Sequence, residues 1–563
     1  MPETTRRTVI TLTIASLILC PSGFGKTIYV QHDASGLCDG TNWNDAFNHL
    51  QDALVAAEAG DEIWVAEGVY RPDQGGHTVL GDRTATFRLI SGVGLYGGFS
   101  GYETQLDQRD WMAHETVLSG DLNEDDLPGF VNNDENSYTV VTGVQTDLGE
   151  ILDGFAITSG NTEGASTTLG YPYNAGGGVR IEGSRSTLEG RGTVIANCTF
   201  TNSFSQRHPL PEGGGGALAV VEGSGHRRSG LVVNCSFVGN GIRGLGSSGG
   251  AIYTNYAHPT LIGCTFLSNE ARYGGAAYLS GSRPVLINCV FQGNNAMWGG
   301  AIASSNCRLN IVNCTFNGNT ATEGGALHTL AYDDVSLSNC VVWDNPGELW
   351  GQDIYLSSAN PSWLTVCHCD ITGGRSGVYL RDERATLYWL EGNIDVDPLF
   401  AGGACRLPAG SPCVDAGDDS LLPDDLFDLD SDGDTTESIP FDYDYTPRIL
   451  GVAVDMGAYE TIVSPGIILD KVVQTIVVLP PKSFHNANSQ TALQKKIEAI
   501  MKMIEEGLYE EALHKLENDI LKRTDGCANQ GEPDSNDWVI TCDDQNVIYP
   551  LVIRAIELVE ERL

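Results

Sequence analysis

The sequence predicts a mainly β fold, a parallel β-helix in which each repeat forms one coil of a solenoid. Three observations predict it. First, "NCTF" at Asn197–Phe200 returns as "NCSF" at Asn234–Phe237, "GCTF" at Gly263–Phe266, "NCVF" at Asn288–Phe291, "NCTF" at Asn313–Phe316 and "NCVV" at Asn339–Val342. Second, a "GGA" block falls between these and ends at Ala217, Ala251, Ala276, Ala301 and Ala326. Third, the step is regular: Cys264, Cys289 and Cys314 are 25 residues apart, and Cys340 follows after 26. A fixed period of this length marks a repeat architecture. Within a unit, Ile287, Cys289 and Phe291 share parity, as do Val312, Cys314 and Phe316. That is the alternation of a strand, and a unit this short has no room for a useful helix as well.

The first element is a signal segment, 1–25. Arg6 and Arg7 are a basic start, Val9–Leu19 is an apolar run too short to span a bilayer, and small residues follow at Gly23 and Gly25. This pattern implies export. Cys20 would suit a lipoprotein, but Leu19 stands before it where a small residue is expected. No later run is apolar and long enough to span a membrane, so the mature chain is expected in the periplasm, on the surface or outside the cell.

An N-terminal cap is expected over 26–60, a strand plus an amphipathic helix whose apolar stripe is Trp43, Phe47, Leu50 and Leu54. The solenoid follows over 61–400. Its columns explain the repeated letters. Equivalent residues stack at about 4.8 Å, the spacing of paired strands. Cys and Phe fill the core, Ala sits where little space exists, and Asn240, Asn269, Asn294, Asn319 and Asn345 hydrogen-bond from coil to coil as stacked amides do. Residues 401–463 read as an acidic exit and capping segment. Residues 464–563 read as a small helical domain, with Ile497, Ile500, Met501 and Ile504 and then Leu513, Leu516 and Ile520 at helical spacing.

Export favours disulfides, yet stacked cysteines place their β-carbons further apart than the roughly 3.8 Å a disulfide needs. The ladder is therefore expected to stay as buried thiols. Cys527 and Cys542 flank a polar loop and are expected to bridge; Cys405 and Cys413 form a weaker candidate pair.

The "FVGN", "FLSN", "FQGN" and "FNGN" segments, alternating with "GGAI", "GGAA" and "GGAL", resemble the right-handed β-helix proteins of the pectin-lyase-like superfamily. They also resemble the repeat of the polymorphic outer-membrane protein family. "GTNWNDAFNHLQDAL" and "GDEIWVAEGVY" resemble the first coil of secreted bacterial β-helix proteins, and "SPCVDAG", "TPRI" and "VDMGAYE" resemble their exit. Autotransported relatives end in a membrane barrel, whereas this chain ends in helical sequence, which puts self-export in doubt.

The superfamily includes polysaccharide lyases, glycoside hydrolases and adhesins, and fold does not settle which. Glu270, Glu323, Asp333 and Asp334 form no columnar carboxylate pair, and Arg243, Arg272 and Arg283 share no column. The loops Thr162–Tyr173 and Gln206–Gly216 are long enough to assemble a site. Two aromatic columns stand out: Tyr273 with Trp298, and Tyr253 with Tyr278. They suit sugar contact, or else they cover the core and stack on one another.

The chain carries 73 Asp+Glu against 32 Lys+Arg, a formal charge of −41. Such a surface repels nucleic acid and anionic membranes. Solubility accounts for most of this acidity; calcium could account for some. Asp428, Asp430, Asp432 and Asp434 alternate around Gly433 as in a calcium loop, although its twelfth position is Ile439 rather than Glu. Asp121, Asn123 and Asp125 are a second candidate. Either could equally be a solvated loop. The leading expectation is an exported, non-catalytic protein that binds a glycan, a surface or a protein. The rivals are a polysaccharide lyase or hydrolase, and a purely structural envelope component.

Overall fold

The computed structural model describes residues 25–144, 149–163, 175–183, 192–206, 214–221, 230–243, 247–350, 353–357, 360–403, 405–462, 464–560 and 562–563. The expected signal segment with Cys20, and most of the loops at 162–173 and 206–216, lie outside these residues.

The chain forms two compact units. The first comprises the described residues up to Pro398, together with Ser420–Arg448 and Met456–Tyr459. It is a mainly β, right-handed parallel β-helix built on sheets of 12, 10 and 10 strands. One coil shows the plan. Ile252–Asn255 lies in one 10-stranded sheet, Thr260–Ile262 in the 12-stranded sheet and Thr265–Leu267 in the other 10-stranded sheet. Each pairs in parallel with its equivalent one coil on, Ile252 with Ala277, Thr260 with Val285 and Thr265 with Val290.

The "NC" block is a corner. Asn197, Asn234, Asn288, Asn313 and Asn339 all have φ between 50° and 52°, and Gly263 takes the same place at 58°. Asn and Gly tolerate this left-handed backbone best, which is why one replaces the other in the repeat. The corner turns the next residue, Cys, inward, and Phe follows it. Phe200, Phe237, Phe266, Phe291 and Phe316 stack with centroids 4.6–4.9 Å apart and planes within 7°. Burying each such ring stabilises by about 1.5–3 kcal/mol.

The Asn column carries the expected bonds. Asn240, Asn269, Asn294 and Asn319 each donate Nδ2–H to Oδ1 of the next, at 3.1, 3.0, 2.8 and 2.8 Å. The second Gly of "GGA" is fixed by crowding: a β-carbon on Gly275 would stand 2.3 Å from the Gly300 carbonyl oxygen. The ladder cysteines Cys198, Cys235, Cys264, Cys289, Cys314, Cys340 and Cys369 are buried free thiols, and Cys405 and Cys413 are buried thiols without the expected bridge between them.

The N-terminal helix is shorter than its apolar stripe suggests, Leu50–Ala56 only. Leu50 and Leu54 enter the core, but Trp43 and Phe47 precede the helix. Phe47 explains this, because its backbone pairs with the first strand: its N–H donates to the Tyr29 carbonyl and its carbonyl accepts from Gln31 N–H, both at 2.9 Å.

The acidic segment 401–463 divides between the two units. Its 420–448 part lies along the outer face of the 12-stranded sheet, and its 456–459 part meets the corner at Asn339 and the neighbouring 10-stranded sheet at Thr315. Leu429, Ile439, Phe427 and Phe441 pack there with Trp64, Phe99, Ile151, Leu231 and Ile287. Asn288 donates to the Phe441 carbonyl at 2.7 Å, and the Thr315 hydroxyl accepts from Ala458 N–H at 3.0 Å. Buried Arg448 donates to the carbonyls of Gly457 and Ala458.

The second unit holds Leu399–Asp419, Ile449–Asp455 and Glu460–Leu563. Its helices include Pro465–Val478, Ala487–Glu505, Tyr509–Lys515 and Cys542–Glu560. Pro465–Val478 was not expected from helical spacing; Pro465 at its start supplies a preset φ. Ile497, Ile500, Leu516 and Ile520 are fully buried. Lys471 ties Asp415 to the helices at 2.9 Å, and Cys527 is disulfide-bonded to Cys542. Among the described residues no helix is long and apolar enough to cross a membrane.

Candidate functional site

The outer face of one 10-stranded sheet carries a column set by strand register: Ala219, Tyr253, Tyr278, Ala303, His328, Tyr355 and Tyr379. Beside it runs a second, Tyr273, Trp298 and Glu323. The four ring residues singled out in the sequence form one cluster. Tyr253 and Tyr278 are parallel at 6.0 Å, Tyr273 meets Tyr278 edge-on at 6.1 Å, and Tyr273 stacks on Trp298 at 4.6 Å. Tyr253 is buried at 4% exposure; Tyr273, Tyr278 and Trp298 are half-buried. The stacked rings follow the coil spacing, so their faces are turned to neighbouring coils; the edges of Tyr273, Tyr278 and Trp298 are partly exposed, whereas His328 and Tyr355 are buried like Tyr253.

The strip continues with groups not singled out for binding in the sequence. Arg272 lies with its guanidinium 5.0 Å from the Trp298 ring. Glu323 stands next to Trp298 in register, and its carboxylate is 3.2 Å from His328 Nε2. His328 stacks on Tyr355 at 4.7 Å, and Tyr355 on Tyr379 at 5.1 Å. The His328 hydrogen bond holds the Glu323 carboxyl below its ordinary range, while burial holds the His328 imidazole below its own. Neutral His328 therefore donates to an ionised carboxylate. The register signal was present in the sequence, since Glu323 is 25 residues after Trp298, but the pairing with His328 depends on the turn between them.

The remaining scattered charges do not join this group. Asp333 is a buried turn cap accepting from the backbone N–H of Cys307, Leu330 and Ala331. Its burial pushes the carboxyl up to about 7.

The acidic loops assemble differently from their sequence order. Asp428, Asp430 and Asp432 converge, with ligand oxygens within 4.8 Å of one another, and Asp430 also meets Asp425 and Glu437. Asp434 is outside both groups and accepts from Thr436 instead. Asp121 and Asp125 converge with Glu135. Asp425 and Glu135 lie before or beyond a local loop pattern, so spacing alone could not find them. Burial raises the carboxyls of Asp425, Asp126 and Glu135.

Comparison with known proteins bears on the fold. No curated protein matches the sequence. The structure is similar to the crystal structure of pectate lyase Pel9A at TM-score 0.40 and 12% identity, over 80% of this chain and 99% of that one. It is similar to the GH136 lacto-N-biosidase from Eubacterium ramulus at TM-score 0.29 and 11% identity, over 65% and 67%. For the polygalacturonase from Erwinia carotovora ssp. carotovora the values are 0.24 and 11%, over 66% and 97%. These likenesses are distant. Residues 172–345 match the family described as right handed beta helix region, and the stacked parallel sheets carry that architecture on either side of the matched segment.

Proposed function

We propose that this is an exported, non-catalytic protein that binds a polysaccharide or cell-surface glycan along the strip from Tyr253 to Tyr379. The observation that carries the reading is continuity. Aromatic edges, Arg272 and the Glu323–His328 pair follow one another coil by coil on a lateral face, as a polymer lying along the axis would require. The outer face of the 12-stranded sheet is instead covered by residues 427–445. Sugars present both hydroxyls and apolar C–H faces, so a strip mixing ring edges with charged groups suits them.

A second reading, a polysaccharide lyase or glycoside hydrolase, is favoured by one observation: the gathering of Asp121, Asp125 and Glu135, with Glu135 and the neighbouring Asp126 both raised by burial. We also propose calcium at the two converging loops, whose all-oxygen donors suit a hard cation and whose role would be to stiffen the loops.

The test is native electrophoresis through gels cast with a panel of polysaccharides, with calcium and with a chelator. Retardation without loss of polymer is the expected result. A cleared zone around the band would replace binding by catalysis. Unaltered migration on every polymer would overturn the glycan reading in favour of protein partners or a structural role.

A further inference from the structure

The loop 121–136 builds a pocket away from the strip. It holds about 220 Å³ and is lined by Asp126, Leu127, Pro128, Phe130, Asn133 and Asn202. Leu127 and Val131 exchange backbone hydrogen bonds of 2.9 and 3.3 Å, closing a tight hairpin. Phe130, near its tip, has φ 64°. A bulky residue in this region is an outlier that persists only where its surroundings hold it, and such outliers cluster at ligand sites. Here the holder is Phe204, whose ring lies 5.0 Å from that of Phe130.

The polar side of the pocket is a carboxylate and two amides, Asp126, Asn133 and Asn202. Asp126 is held from behind: its Oδ2 accepts from Asn136 Nδ2 at 2.8 Å, and the Ser159 hydroxyl bonds the same carboxylate. Asn136 is only 1% exposed. A carboxylate accepts and an amide both accepts and donates, so this lining favours a ligand rich in hydroxyls. The volume is below the roughly 300–1,000 Å³ of a drug-sized site, enough for one small ring and not for a chain segment. A metal ion prefers an all-oxygen shell, and half of this wall is apolar. Asp126 also stands outside the converging group of Asp121, Asp125 and Glu135.

We propose that this pocket takes a single pyranose ring of a glycan, a chain end or a side branch. Phe130 lies against its apolar face, Asp126 accepts from its hydroxyls, and Asn133 and Asn202 contribute at the rim. The proposal rests on the glycan-binding reading and adds an anchor apart from the strip.

The experiment measures binding of the full chain to methyl glucoside, galactoside, mannoside and xyloside by calorimetry, and to the corresponding polysaccharides by affinity electrophoresis. Phe130→Ala and Asp126→Asn are compared with Trp298→Ala, and thermal melts confirm that each variant is folded. The expected result is a roughly tenfold loss of glycoside affinity in both pocket variants, while Trp298→Ala weakens binding of the polymer. Wild-type affinity in folded Phe130→Ala and Asp126→Asn would overturn the pocket while leaving the strip. Loss in Trp298→Ala alone would do the same. Loss of glycoside binding on chelation, with Asp126→Asn unaffected, would assign the loop to a cation instead. No binding of any sugar by the wild type would overturn both readings.

Discussion

At the scale of single residues, the fold is held by a few side chains repeated at one height per coil. Asn294 is representative. It donates to Asn319 Oδ1 and to the Phe266 carbonyl at 2.9 Å, and its own oxygen accepts from Asn269. Asn294→Ala takes the side-chain partner from the Phe266 carbonyl and from the Asn269 backbone N–H, at about 1–3 kcal/mol each, while Asn319 Oδ1 keeps the Asn294 backbone N–H. Chemical denaturation should show a loss of a few kcal/mol in that range, and an unchanged midpoint would remove the Asn column from the account. Asp353 ends the column by accepting from Asn345 N–H at 2.8 Å. Burial pushes its carboxyl up to about 7, with Asp344 adding to the shift. The folded state then holds the proton more tightly than the unfolded chain, whose Asp titrates near 3.9. Stability therefore falls as pH rises from about 4 to about 7, and is level beyond. Asp353→Asn keeps an acceptor but carries no charge. Melting temperatures should show the variant gaining on the wild type at pH 8 and not at pH 4. The variant keeps a smaller slope of the same sign, because Asp333 is shifted the same way.

At the scale of elements, the strap 420–448 shows how an acidic, turn-rich segment finds a place. Its few apolar residues, Phe427, Leu429, Ile439 and Phe441, meet the outer face of the 12-stranded sheet, and Arg448 fastens its end to Gly457 and Ala458. Arg448→Met removes donors from buried carbonyls without shortening the side chain much. Limited proteolysis should then cut within 420–448 while the solenoid stays resistant; equal resistance in variant and wild type would show that apolar packing alone holds the strap. The N-terminal helix makes the complementary point. Its stripe of Trp43, Phe47, Leu50 and Leu54 has helical spacing, but the Phe47 backbone is bonded to Tyr29 and Gln31 of the first strand segment, so the helix begins at Leu50.

At the scale of the whole molecule, stability accrues by stacking, so equivalent thiols should share one fate. The seven ladder cysteines are buried, while Cys38 is exposed. Burial raises Cys235, Cys264 and Cys314 well above the ordinary thiol range, which disfavours the reactive thiolate. A thiol reagent should label Cys38 in the native protein and reach the ladder only on unfolding. Mass mapping that finds Cys264 or Cys314 labelled in the native state would contradict the dry core.

The coil, its corner Asn, its Phe stack and its Asn hydrogen bonds were legible in the sequence, because a repeat pairs each residue with its own equivalent and one unit dictates the next. The ring cluster was legible for the same reason, with Trp298 falling 25 residues after Tyr273. What lies off the repeat was decided only by tertiary structure. Glu323 meets His328 across a turn, Glu135 meets Asp121 from the far side of a hairpin, Phe130 leans on Phe204, and the exit segment returns along a sheet it follows by hundreds of residues. No period links these partners, so their meeting depends on the path of loops, which spacing in the chain does not encode.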